Sequence, residues 1–130
     1  LAPLRDARFT KEDVRALLRD EGFGDLAAKP ASACLSSRIP YGTPVVPETL
    51  RQVGACEEWL RARGYRVVRV RHHGEVARLE LDADGIARVA APAERRAIEA
   101  GLRERGYARV EIDPRGYRRG SLNEALATGP

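Results

Sequence analysis

One stretch of the chain occurs twice. Leu60-Arg-Ala-Arg-Gly-Tyr-Arg-Val-Val-Arg-Val-Arg71 returns as Leu102-Arg-Glu-Arg-Gly-Tyr-Ala-Arg-Val-Glu-Ile-Asp113. In each copy an Arg-rich helix end meets a Gly, the residue that enters the left-handed conformation without a Cβ clash, and a Tyr then opens an alternating run. The unit is helix, Gly cap, strand. Two such units joined by an extra hairpin strand constrain the chain to an α/β fold, a small sheet with helices packed on it in the order helix-strand-strand-helix-strand.

The remaining elements follow from local signals. Pro47 suits the first turn of a helix in which Leu50, Val53, Cys56, Glu57 and Leu60 share a broad face until Gly64. Tyr65 to His72 reads as a strand, His73-Gly74-Glu75 as a turn and Val76 to Asp82 as the returning strand, with Asp82 to Gly85 as its exit turn. A helix is expected over about Pro92 to Arg105 and a last strand over about Tyr107 to Asp113. Near the start, Thr10 and Asp13 form an N-capping pattern, and Val14, Leu17 and Leu18 continue a short amphipathic helix over 10–21 until Gly22. From Gly24 to Pro47 periodicity vanishes among prolines and small residues, so an irregular connection is expected. Gly116 to Gly129 reads as loop with one helical turn near Asn123.

Composition sets bounds. The 130 residues carry a net charge of +4 and are 43% hydrophobic, enough for a core in one domain's length, and no apolar run nears the roughly 18 residues of a membrane span. No basic-plus-apolar leader opens the chain, and no membrane partner is expected. Aromatics make up only 5%, which disfavours a base-stacking surface and hence nucleic acid as a partner. The chain has no Met, so Leu1 is not an initiator and a piece of a longer protein is expected. Cys34 and Cys56 are too few for a disulfide scaffold, which points to a reducing cytoplasm.

Cys34 lies in the aperiodic stretch with Lys29 and Arg38 near it in sequence, a setting in which cations favour the reactive thiolate. The alternative is a small apolar filler. Ser36, Ser37 and Arg38 before a Pro-Gly turn offer hydroxyl, guanidinium and amide donors to an anion. On the first strand, alternation puts Arg69, Arg71 and His73 on one face and Val68 and Val70 on the other. A turn centred on His73-Gly74 would set Arg69 opposite Arg78, a like-charge pair that needs Glu80, Asp82 or an anionic ligand, unless the face is simply solvated. His72 and His73, adjacent on a strand, point apart and make a poor zinc pair. Glu57, Glu80 and Asp84 are candidate hard oxygen ligands for Mg²⁺ or a similar ion, while Cys56 falls on an apolar helix face. No nucleophile elbow, Gly-rich phosphate loop or two-cysteine knuckle is present, so a self-contained hydrolase or nucleotide-binding enzyme is not visible.

Lys29–Val45 (KPASACLSSRIPYGTPV), Arg69–Leu81 (RVRHHGEVARLEL) and Gly116–Glu124 (GYRRGSLNE), in that order, closely resemble the ATP-dependent sacrificial sulfur transferase (LarE) family of the PP-loop superfamily, over the C-terminal half of its usual length. The resemblance implies that residues 1–28 are the tail of an N-terminal PP-loop ATP pyrophosphatase domain, with Phe9–Phe23 its last helix. Residues 29–130 would then be a C-terminal domain for sulfur transfer and substrate binding. It further implies a role in making the nickel-pincer nucleotide of lactate racemase. In that role ATP adenylylates a carboxylate of a pyridinium mononucleotide, and a protein cysteine attacks the activated carbonyl. Cleavage of its C–S bond leaves a thiocarboxylate on the substrate and dehydroalanine in the protein. By motif position Cys34 matches the sacrificial cysteine, Ser37, Arg38, Arg69 and Arg71 match residues around the substrate phosphate, and Glu57, Glu80 and Asp84 match carboxylates associated with metal.

The superfamily's Ser-Gly-Gly-x-Asp-Ser loop is absent from these residues. ATP and Mg²⁺ are therefore expected to act through a PP-loop domain outside them, and these residues alone are expected to be inactive. With Cys34 the sole cysteine of the motif, no iron–sulfur cluster is expected. The resemblance also implies homo-oligomers and other cofactor-biosynthesis proteins as partners. The alternatives are another PP-loop enzyme, such as a tRNA thiolase, or a non-catalytic assembly domain.

Overall fold

A computed structural model describes residues 2–29 and 33–118. The chain forms two compact units, Leu1–Ser32 and Ala33–Pro130.

The first unit holds three short helices, α1 (Pro3–Asp6), α2 (Lys11–Asp20) and α3 (Gly24–Ala28). Thr10 caps α2 reciprocally: the Asp13 N–H donates to Thr10 Oγ1, and the Thr10 N–H donates to Asp13 Oδ2 at 2.8 Å. Gly22, at φ +82°, turns the chain out of α2. The apolar spacing that marks this helix in sequence buries none of its residues fully.

In the second unit a 3₁₀ turn (Leu35–Arg38) precedes α4 (Pro47–Ala62), β1 (Val68–His73), β2 (Val76–Leu81), α5 (Ala83–Val89), α6 (Pro92–Arg103) and β3 (Arg109–Ile112). The sheet is mixed, in the order β1-β2-β3, with β1 antiparallel and β3 parallel to β2. The expected α/β order is present. The repeated unit is repeated in geometry as well: Gly64 and Gly106 lie at φ +91° and +93°, and the N–H groups of Tyr65 and Tyr107 donate to the carbonyls of Leu60 and Leu102 at 3.1 and 3.2 Å. Each helix thus ends in the Schellman pattern, with a buried tyrosine ring directly behind the glycine.

Val68, Val70, Ala77, Leu79 and Leu81, all on one sheet face, join Val53, Cys56 and Leu60 of α4 and Ile98 and Leu102 of α6 in a single core. All ten are fully buried. The other face carries Arg69, Arg71, Arg78, Glu80 and Glu111. Among the described residues no helix is long and apolar enough to cross a membrane.

Several expectations need correction. The Gly24–Pro47 stretch contains α3 and the 3₁₀ turn, elements too short to show a helical period. Asp82 to Gly85 is a helix start rather than an exit turn: Asp82 Oδ1 accepts the Gly85 N–H at 2.9 Å and opens α5. The strand begins at Val68, not Tyr65, because Tyr65 is used in closing α4. The hairpin turns on Gly74 and Glu75, so Arg69 pairs with Glu80 and it is Arg71 that faces Arg78. Pro30, Ala31 and Ser32, and the expected helical turn near Asn123, lie outside the described residues.

Candidate functional site

Cys34 immediately precedes the 3₁₀ turn, and its thiol is exposed. Its Sγ lies 2.8 Å from Ser36 Oγ, and the Ser37 Oγ donates to the Cys34 carbonyl at 2.8 Å. The Ser36 hydroxyl, and then the backbone N–H of Ser37, hold the thiol below its ordinary pKa by hydrogen bonding to the charged form. The low pKa expected from the sequence is present, but its main source is a hydroxyl and an amide rather than a neighbouring cation.

Arg38 is spent on its own turn. Only 1% exposed, it forks onto the fully buried Glu57 (Nε–Oε1 2.7 Å, Nη2–Oε2 3.1 Å). Its Nη1 donates to the carbonyls of Ala33 and Cys34 and to Ser37 Oγ at 3.0, 3.1 and 2.9 Å. Burial pushes the Glu57 carboxyl up, but Arg38, the Val70 N–H and Arg61 together outweigh it and hold it below the usual carboxylate range. Because β1 is an edge strand, the Val70 amide that Glu57 accepts would otherwise lack a ladder partner.

A second buried pair ties the turn to the sheet. Arg71 forks onto Glu80 (3.0 and 2.9 Å), and its Nη1 donates to the Ser37 carbonyl. Arg69, beside it on the same face, is 7% exposed, donates to the Val68 carbonyl and lies with its guanidinium 5.0 Å from the Tyr117 ring centroid. Burial, then the nearby Arg38 charge, lower the Arg69 pKa. Arg69 and Arg71 are therefore largely out of solvent, reached by the 3₁₀ turn and Tyr117 with the Arg38 charge crowding Arg69, whereas Arg78 and Glu111 on the same face are more exposed. A phosphate would relieve that crowding, and paired guanidiniums match its oxygens.

Glu57, Glu80 and Asp84 are not brought together. Two donors occupy each Glu57 oxygen, Glu80 is forked onto Arg71, and Asp84 is exposed on the first turn of α5. Among the described residues no group of three or more His, Cys, Asp or Glu side chains could hold a metal ion, so these residues do not fit one as they stand. His72 is bound to Tyr107 across 3.1 Å. Cys56 is core, its thiol pushed up to about 11 by burial.

Sequence reasoning assigned no role to Tyr117 or Asp113. Tyr117 is set over Arg69 because its N–H donates to the Leu81 carbonyl at 2.8 Å. Asp113 is buried and pairs with Arg78, Arg115 and Arg118. The signal that could have found Tyr117 was its place in the third motif, whose residues 119–124 lie outside those described.

No family model matches the chain. It is 38% identical over 123 residues, 95% of its length, to the pyridinium-3,5-bisthiocarboxylic acid mononucleotide synthase of Lactiplantibacillus plantarum, of which it covers 44%. It is 35% identical over 125 residues, 96% of its length, to the uncharacterized protein slr1717 of Synechocystis, of which it covers 46%. The chain thus spans about half the length of the curated relatives it matches. Likeness at this level along nearly the whole chain, over less than half of each relative, fits the C-terminal half of a LarE-type protein.

Proposed function

We propose that this chain supplies the sulfur-donating part of an enzyme that places thiocarboxylate sulfur on a pyridinium mononucleotide, with Cys34 as the donor. The observation that carries the reading is the exposed Cys34 thiol, lowered in pKa by Ser36 and tied through Ser37 and Arg71 to the strand bearing Arg69. The thiolate, not the thiol, is the form of a cysteine that attacks an activated carbonyl to give a thioester. ATP enters only as what activates the carboxylate beforehand. The Cys34 thiolate attacks the activated carbonyl and expels AMP, giving a thioester. Loss of the Cys34 Cα proton with cleavage of its Cβ–S bond then leaves the sulfur on the substrate and dehydroalanine at position 34. Arg69 and Arg71 hold the mononucleotide phosphate, whereas Arg38 shapes the turn.

The test uses a protein of the relatives' full length that contains this chain, incubated with ATP, Mg²⁺ and the carboxylated pyridinium mononucleotide, and peptide mapping by mass spectrometry. Cys34 is expected to lose about 34 Da, the mass of H₂S, as a thiol becomes an alkene, and Cys34→Ala to abolish product. An unchanged Cys34 in a protein that still makes thiocarboxylate would overturn the reading.

A further inference from the structure

We propose that Glu57 is a positioning residue for the Cys34 thiol, acting through the buried Arg38 guanidinium rather than through a metal or the substrate. This deepens the sulfur-donor reading and rests on it only for what the positioned thiol is used for.

Glu57 stands in α4 with no exposed surface, where a lone carboxylate would be expelled or neutralised. It is instead saturated. Oε1 accepts from Arg38 Nε and from the Val70 N–H at 2.7 and 3.1 Å, and Oε2 accepts from Arg38 Nη2 and from Arg61 Nη2. Two donors on each oxygen fill the four acceptor positions of a carboxylate and leave no lone pair for a cation.

The guanidinium carries the effect to the turn because it is planar and rigid. With Nε and Nη2 pinned on Glu57, the position of Nη1 is set, and Nη1 holds the carbonyls of Ala33 and Cys34 together with Ser37 Oγ. The Cys34 carbonyl also accepts from the Ser37 N–H at 3.1 Å and from the Ser37 hydroxyl. A fixed carbonyl limits the directions open to the Cβ–S bond, and in the observed one Sγ meets Ser36 Oγ. Attack on a carbonyl and subsequent elimination both depend on that direction. Arg38 is only four residues from Cys34, so without Glu57 its long side chain could turn outward and release the carbonyl.

The experiment is the pH profile of Cys34 alkylation by iodoacetamide in the full 130-residue chain, with the labelled residue assigned by mass, since Cys56 is buried. Ser36→Ala, which removes the contacting hydroxyl, is the reference and raises the midpoint. Glu57→Gln, which keeps shape but weakens the fork, is expected to raise it by about half a pH unit or more. Arg38→Lys keeps a cation against Glu57 but gives up the contacts to both carbonyls, and is expected to do the same; it decides the matter if Glu57→Gln does not fold. A wild-type profile in either folded variant would overturn the proposal. So would a wild-type profile that shifts on adding Mg²⁺ or Mn²⁺ alone and ceases to shift in Glu57→Gln, which would make Glu57 a metal ligand. The mass change at Cys34 and this midpoint are read separately, so either reading can fail while the other stands.

Discussion

Arg71 faces Arg78 across the β1–β2 ladder, yet its guanidinium forks onto Glu80, its diagonal neighbour on β2, while Arg78 turns away to Asp113 at 3.2 Å. Opposed like charges in a sheet are thus neutralised from two sides. The Arg71–Glu80 pair is nearly buried, and removing one member of such a pair strands the other. Glu80→Ala is therefore expected to destabilise the second unit by about 3–5 kcal/mol, and Glu80→Gln by less because it still accepts one bond. Urea unfolding followed by circular dichroism measures both. A loss within experimental error for Glu80→Ala would mean that Arg71 has another equivalent anchor.

The acid side of the stability curve follows from carboxylates whose pKa is lowered by folding. For Glu57 and Asp113 burial pushes the pKa up, but the surrounding donors and arginines outweigh it. A carboxyl that is more acidic in the folded state contributes stability above its unfolded value, near 4, and loses that contribution as pH falls through the folded value. Burial also holds His72 and His73 below their ordinary pKa, so stability is expected to begin falling as pH drops through about 6.5 and to fall further below about pH 5. Glu57→Gln should be less stable than the parent at pH 7 and have a shallower acid limb. Urea midpoints taken between neutral and acid pH check the sign.

The parts of the fold that were legible in the sequence are those with repetition or period. The paired Leu60–Arg71 and Leu102–Asp113 runs foretold two helix-Gly-Tyr-strand units, and both close with the same hydrogen bond. The hairpin was legible, but its register was not: moving the turn centre from His73-Gly74 to Gly74-Glu75 changes which arginine meets Arg78. Alternation placed Arg69 and Arg71 on one face correctly but could not say whether that face was wet, because what covers it arrives from the Cys34 turn and from Tyr117. Cys34 stood out as an irregular-loop cysteine, whereas Glu57, on an apolar helix face, could not be read as an anchor without the Arg38 rotamer.

Gly101 of α6 packs against Trp59 of α4 so closely that a Cβ built there would lie 2.3 Å from the indole. The indole cannot easily retreat, since the guanidiniums of Arg63 and Arg105 lie 5.0 and 4.8 Å from its ring centroid. Gly101→Ala gains helix propensity, but overpacking of this kind costs about 1–3 kcal/mol and should win. For a unit of this size that is a drop of about 4–8 °C in Tm per kcal/mol. Trp59 is the only tryptophan in the chain, so its emission should shift in the same variant. An unchanged Tm with unchanged fluorescence would contradict the packing.

Gly116 tests whether the segment that covers Arg69 is built into the fold. It lies at φ +67°, and a Cβ there would come within 2.6 Å of the Leu81 carbonyl oxygen, with Ile86 Cδ1 at 2.9 Å. Backbone and a packed methyl cannot both give way, and the left-handed conformation itself disfavours alanine. The same carbonyl accepts the Tyr117 N–H, and that bond sets the Tyr117 ring over Arg69. Gly116→Ala should therefore break this bond and lift Tyr117 off the guanidinium, as well as cost stability. Tyr117→Ala removes only the ring, worth about 0.5–1 kcal/mol. Comparing the two separates backbone from ring: Gly116→Ala should lower Tm several-fold more than Tyr117→Ala, while both should weaken binding of a mononucleotide phosphate if Arg69 holds it. Equal, small effects on Tm would show that the Leu81–Tyr117 bond contributes little.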